Sequence, residues 1–283
     1  VVWFRQDLRL SDNPALHQAL ESGDNILPVF IFDDRHPGEW KNGAASNWWL
    51  HHSLNALNKS LDDRLLVFKG DPTKIIPRIC LEYQCNSIFW NRCYEPWRVN
   101  RDRQIKQQLK SLSIKVQSFN SHLLWEPHSI LKADGTPYRV FTPFYRKRCL
   151  KSQPPRLPVS KSGKIFSIEP LPKHKAYTGS VGVDNLKLLP AIPWDKDFYS
   201  LWQPGEAGAK NNLSSFLNSA AIAYRDQRDI PGIPGTSRLS PHLHFGEISI
   251  NQVWYAIWNL AAQQNLSPLD MDGLDCYLSE LGW

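Results

Sequence analysis

Val1-Val2-Trp3-Phe4, a helical pattern over residues 14–22, and Ile26-Leu27-Pro28-Val29-Phe30-Ile31-Phe32 form the stretch that decides the fold. The two apolar runs are short and rich in β-branched and aromatic residues, and a helix-length segment separates them. That is a strand, a crossover helix and a second strand. The same beat continues through apolar runs at 65–69, 87–91 and 115–119, with helical patterns over 44–61, 73–84 and 97–112. Five runs separated by helices predict an α/β fold, a doubly wound five-stranded parallel sheet covered on both faces, over residues 1–125. Ligands of such sheets sit beyond the carboxyl ends of the strands, where strand order reverses. No G-x-G-x-x-G or Walker loop follows any strand, so a phosphate-cradling nucleotide site in this region is unsupported.

Beyond it the character changes. Residues 126–205 contain Pro154-Pro155, Pro158, Pro170, Pro172, Pro190 and Pro193, which break up any long element, and read as an interdomain linker. From residue 206 the pattern turns helical: Leu213, Phe216, Leu217, Ala220, Ala221 and Tyr224 recur at helical spacing. A Pro/Gly loop follows at Pro231-Gly232-Ile233-Pro234-Gly235. A helix is then predicted with Ser240 as N-cap and Pro241 at its first position, followed by others over 250–263 and 274–283. The last shows no stop signal, so the chain is expected to be an incomplete reading frame, with a few residues also missing before Val1.

Charge and composition narrow the partners. Residues 126–205 hold 13 Lys and Arg against 6 Asp and Glu, a net of +7, while residues 206–283 hold 4 against 8, a net of −4. A basic middle suits an acidic partner such as nucleic acid, or is simply a solvated linker. Twelve Trp suggest flat ligands or bases to stack on. Five cysteines without a C-x-x-C pair argue against a disulfide framework or zinc site and for a reducing compartment. No apolar run approaches the length of a membrane span.

Gly235-Thr236-Ser237-Arg238-Leu239-Ser240-Pro241-His242-Leu243-His244-Phe245-Gly246-Glu247 carries the strongest chemical signal. Three hydroxyls and an Arg in a loop at a helix start suit an anion such as a diphosphate, and equally describe a capped loop with a structural Arg. His242 and His244 lack a visible third ligand, so no metal is expected; packing or hydrogen bonding is the reading. Arg5, Asp7 and Arg9 read as a structural charge network, and Arg146-Lys147-Arg148 as a solvated basic patch.

The wider strings point to a family. Tyr224 through Arg228-Asp229 to Gly235-Thr-Ser-Arg-Leu-Ser and His244-Phe-Gly-Glu-Ile-Ser resembles the first FAD-binding region of the DNA photolyase and cryptochrome family. Val2-Trp3-Phe4-Arg5-Gln6-Asp7-Leu8-Arg9-Leu10-Ser11-Asp12-Asn13 is similar to its first strand and loop. Tyr138-Arg139-Val140-Phe141-Thr142-Pro143-Phe144 resembles its linker, and Trp90-Asn91 with Tyr94-Glu95-Pro96 its fourth strand end. These matches span the chain in the family's order.

The resemblance implies an N-terminal α/β antenna domain (1–125), the linker (126–205) and the start of an all-α FAD-binding domain (206–283). It implies light-driven repair of cyclobutane pyrimidine dimers by electron transfer from reduced FAD, in the manner of a class I-like deoxyribodipyrimidine photo-lyase. The alternatives are a cryptochrome photoreceptor without repair activity, or an α/β domain with a truncated, inactive tail. Tyr224, Thr236, Ser237, Arg238, Leu239 and Ser240 match FAD-contacting positions, and Tyr277 falls beside the flavin cavity. Glu280 and Trp283 match the residues that receive the flipped-out dimer, and Arg228 a position near the DNA backbone. The spacing of Tyr277, Glu280 and Trp283 brings the first two to one helix face and the third close by. Glu280 is expected to stabilise negative charge on the dimer by donating a proton or hydrogen bond, which needs a raised pKa of the kind a closed apolar cavity could provide. Asn91 and Glu95 match the strand end where some relatives hold an antenna chromophore, methenyltetrahydrofolate or a deazaflavin. The implied partner is dimer-containing DNA, with the full-length protein a monomer. The implied location is the bacterial cytoplasm near the nucleoid, or a nucleus or organelle in a eukaryote.

Overall fold

The computed structural model describes residues 1–22, 25–159, 179–264 and 266–283; Pro170 and Pro172 of the linker reading lie outside them. Strands β1 (Val2–Phe4), β2 (Pro28–Phe32), β3 (Leu66–Lys69), β4 (Ser87–Asn91) and β5 (Lys115–Phe119) are all parallel, in the order β3-β2-β1-β4-β5. Strand order reverses between β1 and β4. The two-residue alternation sorts each strand between two cores. Val2, Phe4, Phe30, Val67 and Phe89 face α1 (Pro14–Glu21) and α2 (Ala44–Ser60). Trp3, Val29, Ile31, Phe68, Ile88 and Trp90 face α3 (Pro72–Glu82) and α4 (Pro96–Ser111). The expected doubly wound α/β sheet is therefore present.

Local signals fix where helices begin. Asn13 accepts a hydrogen bond from the Leu16 N–H ahead of Pro14, and Asp71 accepts from the Thr73 N–H ahead of Pro72. Each cap is worth about 0.5–2 kcal/mol.

Between the sheet and residue 206 the described residues include the single-turn helices α5 (Phe141–Tyr145) and α6 (Phe198–Leu201). The described parts of residues 126–205 divide between cores. Ile130, Tyr145 and Cys149 join the core of the helical region. Val183, Leu186 and Leu188 return to the α1/α2 core, where Val181 bridges Val67. The helical region consists of α7 (Glu206–Ser219), α8 (Tyr224–Gln227), α9 (Ser240–Phe245), α10 (Ile250–Gln264) and α11 (Pro268–Leu281). Two sequence expectations shift here. Leu239, not Ser240, holds the N-cap position of α9, without a side-chain bond; the Ser237 hydroxyl instead accepts from the Leu239 N–H at 3.3 Å. The last helix starts at Pro268 and ends at Leu281, so Trp283 lies past it. No helix among the described residues is long and apolar enough to cross a membrane.

The loop after β1 joins the two regions. Arg9 is 1% exposed and donates to the carbonyls of Ser11, Asp12 and Gly246 at 3.0, 2.7 and 2.9 Å. The Leu8 N–H donates to the Phe245 carbonyl, and Ser249 bonds Asp12. Gly246 has φ +66°, and a Cβ there would collide with the Gln6 carbonyl, so the α9 end and this loop touch through backbone. Arg5 pairs with Asp102, and Asp7 accepts from Asn91 and the Arg5 N–H, which makes the Arg5/Asp7/Arg9 cluster the structural network expected of it.

Candidate functional site

Gly235 is buried because a side chain there would meet the Gln227 carbonyl at 2.6 Å, which presses the loop against α8. From that anchor the chain turns at Arg238, whose φ of +53° is left-handed for a non-glycine. The turn sends Leu239 inward, 1% exposed, and leaves Thr236, Arg238 and Ser240 on the surface. The Arg238 guanidinium lies 4.1 Å over the Trp202 ring and donates to the Leu201 carbonyl at 3.0 Å. Among the described residues no protein group bonds the Thr236 or Ser240 hydroxyl, so both remain free to donate outward.

Beside this loop α11 presents Tyr277, packed between Phe216 and Tyr224 at ring separations of 4.6 and 5.0 Å. Burial pushes its phenol up to about 12, against a smaller opposite pull from the Ser237 hydroxyl. The Tyr224 hydroxyl donates to Glu280 Oε2 at 2.5 Å, and Arg228 pairs with Glu280 Oε1 while lying over the Tyr224 ring. Trp283 is 68% exposed and stands edge-on to Phe141 and Phe144, at 5.5 and 5.8 Å. The structure thus brings Tyr224, Arg228, Ser237, Tyr277 and Glu280 into one cluster, with Trp283 reached through the α5 aromatics. In this chain the Glu280 side chain is 40% exposed and accepts from the Tyr224 hydroxyl and the Arg228 guanidinium.

Behind the loop, His242 and Glu247 are fully buried and bonded to each other at 2.5 Å. Glu247 also accepts from the Trp49 indole at 3.0 Å and the Gly205 N–H at 2.6 Å, and Asn212 reaches the other His242 nitrogen at 3.1 Å. His242 is therefore a packed, hydrogen-bonded residue that ties α9 to α2. Sequence reasoning missed Glu247, Trp49 and Asn212 as its partners. The signal available was an ionisable pair five positions apart across a glycine.

A second site lies in the α/β region. A cavity of about 340 Å³ opens at the carboxyl ends of β1 and β2, next to the reversal of strand order, and its lining includes Trp3, Asp33, Asn47, Trp97, Arg101 and Phe245. The Trp3 indole N–H and the Asn47 amide oxygen are buried without a partner among the described residues. A planar heterocycle with acceptor and donor edges would satisfy both. Asp33 is held below its ordinary range: burial pushes it up, and the bonds from Arg101 and His36 together outweigh that. Of the two residues predicted for this region, Asn91 is fully buried, with its amide engaged by Asp7, Asn13 and the Ala15 N–H. Glu95 pairs with Arg98, which does line the cavity.

A sequence profile of the DNA photolyase family matches residues 1–161. The deoxyribodipyrimidine photo-lyase of Agrobacterium fabrum is 41% identical over 265 residues, covering 92% of this chain and 53% of that protein. The crystal structure of a bacterial class III photolyase from Agrobacterium tumefaciens superposes with a TM-score of 0.88 at 38% identity, over all of this chain and 56% of the other. An archaeal photolyase from Sulfolobus tokodaii, solved with two FAD molecules, superposes at 0.72 with 26% identity, over all of this chain and 56% of its own. The chain spans about half the length of these relatives. The parallel sheet with its reversal at β1/β4, the loop at Thr236–Ser240 and a family profile covering more than half of the residues agree: this chain belongs to the DNA photolyase family.

Proposed function

We propose that the exposed Thr236, Arg238, Ser240, Glu280 and Trp283, with the buried Tyr277 behind them, form one wall of a site for FAD and a flipped-out pyrimidine dimer, and that the whole protein repairs such dimers in light. The observation that carries this reading is the cluster of Tyr224, Arg228, Ser237, Tyr277 and Glu280, with the unbonded Thr236 and Ser240 hydroxyls in the same loop as Ser237 and the exposed Trp283 indole shortly after Glu280 in the chain. The residues fit the cofactor. Thr236, Ser237 and Ser240 would donate to its diphosphate and Arg238 would balance its charge, while Tyr277 and Leu239 supply a dry, fixed wall beside the ring. FAD, when bound and reduced, supplies one electron to the dimer under blue light, and the protein contributes position, electrostatics and exclusion of water.

This chain's residues then act on the lesion. Weakened pairing and stacking make the dimer cheap to flip out. Trp283 offers it a stacking face held by Phe141 and Phe144, and Glu280, as an acceptor, takes a hydrogen bond from a base edge. Arg228 and the Tyr224 hydroxyl fix the Glu280 carboxylate for that purpose. The cavity at β1/β2 would hold the antenna chromophore. At about 340 Å³ it suits a compact heterocycle such as a folate pterin or a deazaflavin ring.

The test is blue-light repair of an oligonucleotide carrying one thymine dimer by the protein as its gene encodes it. Loss of dimers only in light, with FAD bound, is expected. FAD bound without any dimer loss would overturn the repair reading and favour a cryptochrome.

A further inference from the structure

A basic segment beside the site is still without a role. Residues 146–148, Arg146-Lys147-Arg148, follow α5, and all three are exposed, as are Arg139 and Lys151 at either end of the segment. The segment is not a loose tail. Tyr145 and Cys149, at either end of the turn 146–148, are 4% and 1% exposed in the helical core, and the three cations between them are exposed. Phe141 and Phe144 pack on the Trp283 ring, and Tyr145 lies so close to Gly282 that a side chain there would strike it. The cations therefore stand within a few residues of the Trp283 face and are held there by buried anchors.

Their charge is unspent. Among the described residues, none of Arg139, Arg146, Lys147, Arg148 and Lys151 makes an ion pair, although Arg146 is within electrostatic reach of Asp275. Of the other cations in the helical region, Arg225 pairs with Asp272 at 2.7 Å and Arg228 with Glu280, and Arg238 lies over the Trp202 ring. Residues 206–283 are themselves acidic, net −4, whereas residues 126–205 carry +7.

We propose that the segment from Arg146 to Arg148 is the contact for the DNA backbone flanking the lesion, and that it supplies positive charge that residues 206–283 lack. This rests on the reading of the Trp283 face as a dimer site. Phosphates recur about every 1.7 Å of duplex axis, so a base flipped onto Trp283 brings several of its neighbours past α5. Lys and Arg at such a place read no sequence; they fix register and orientation.

The experiment is binding of a duplex with one thymine dimer, and of the same undamaged duplex, across a salt series. It uses the protein as encoded, the triple variant Arg146→Gln/Lys147→Gln/Arg148→Gln, and a control triple variant Arg103→Gln/Lys110→Gln/Lys115→Gln on α4 and β5. Each phosphate contact contributes about 0.9 to the slope of log affinity against log salt. The segment variant should lose about two to three from that slope. Between 50 and 200 mM salt, wild type should then weaken up to roughly fortyfold more than the variant. Both duplexes should show it, FAD absorbance should be unchanged, and the control should keep the wild-type slope. If wild type discriminates dimer DNA but the segment variant keeps its slope, or the control loses as much, this assignment fails and the dimer site stands. If wild type binds neither duplex, both fail.

Discussion

Two loops of this chain look alike in sequence and do opposite things. Arg5 to Asn13 and Gly235 to Ser240 each place arginine and small polar residues just ahead of a helix that opens near a proline, Pro14 and Pro241. In the first, Arg5, Asp7, Arg9 and Asn13 are all at most 5% exposed, and the carboxylates and carbonyls around the arginines accept from them. In the second, Thr236, Arg238 and Ser240 face outward. Desolvation separates the two cases. A buried guanidinium persists only where the protein itself supplies acceptors, so the first loop is architecture. In the second loop Arg238 spends one donor on the Leu201 carbonyl, but the Thr236 and Ser240 hydroxyls have no partner among the described residues, so that loop is available to a ligand.

The sharpest way to break the comparison is to remove the donor of the first loop. Arg9→Met should leave the Ser11, Asp12 and Gly246 carbonyls without their donor at the join between regions. A loss of about 3–5 kcal/mol in urea unfolding is expected, whereas Arg238→Met should cost under about 0.5 kcal/mol, as surface changes do. Equal losses would erase the distinction.

The alkaline limb of stability examines the helical core alone. Tyr277 has its phenol raised to about 12 from an ordinary value near 10. The folded state holds that proton more tightly than the unfolded chain. Its contribution is complete below pH 10 and is lost as pH rises toward 12, on the order of 2 kcal/mol in all. Tyr277→Phe should flatten that part of the profile. The Cys80 thiol, raised by burial to about 12 in the sheet core, should leave a separate decline beginning near pH 9. An unchanged profile in Tyr277→Phe would mean that Tyr277 is solvated.

The smallest effect belongs to the pair on the exposed face. Arg228 and Glu280 are 34% and 40% exposed, so Arg228→Ala should change stability by less than about 1 kcal/mol. It should nonetheless weaken DNA binding, because the Glu280 carboxylate is then fixed by Tyr224 alone. A large unfolding shift with unchanged DNA affinity would make the pair structural, like Arg9.

How much of this the sequence disclosed follows from how local each feature is. The five strands lie within two residues of their expected ends because a parallel strand announces itself by an apolar run. The start of α9 was one residue off, because Ser237 and Ser240 are equally plausible caps and only the turn at Arg238 decides between them. The partners of Asn91, Glu280 and His242 could not be read at all. Those of Asn91 and Glu280 are distant in the chain, and for His242 so are Asn212 and, through Glu247, Trp49; such pairings are fixed by packing rather than period. The 340 Å³ cavity was legible only as a position, the reversal of strand order, and not as Trp3 and Asn47 with unpartnered atoms.

The most direct test of the exposed face is the affinity of the protein as encoded for dimer-containing against undamaged duplex, with Trp283 present and with Trp283→Ala. Stacking on the flipped dimer is worth about 1–3 kcal/mol per base. The variant should therefore lose roughly ten- to a hundredfold in affinity for the dimer duplex, keep its affinity for the undamaged one, and retain FAD. Unchanged discrimination in Trp283→Ala, with FAD in place, would contradict the assignment of this face to the lesion.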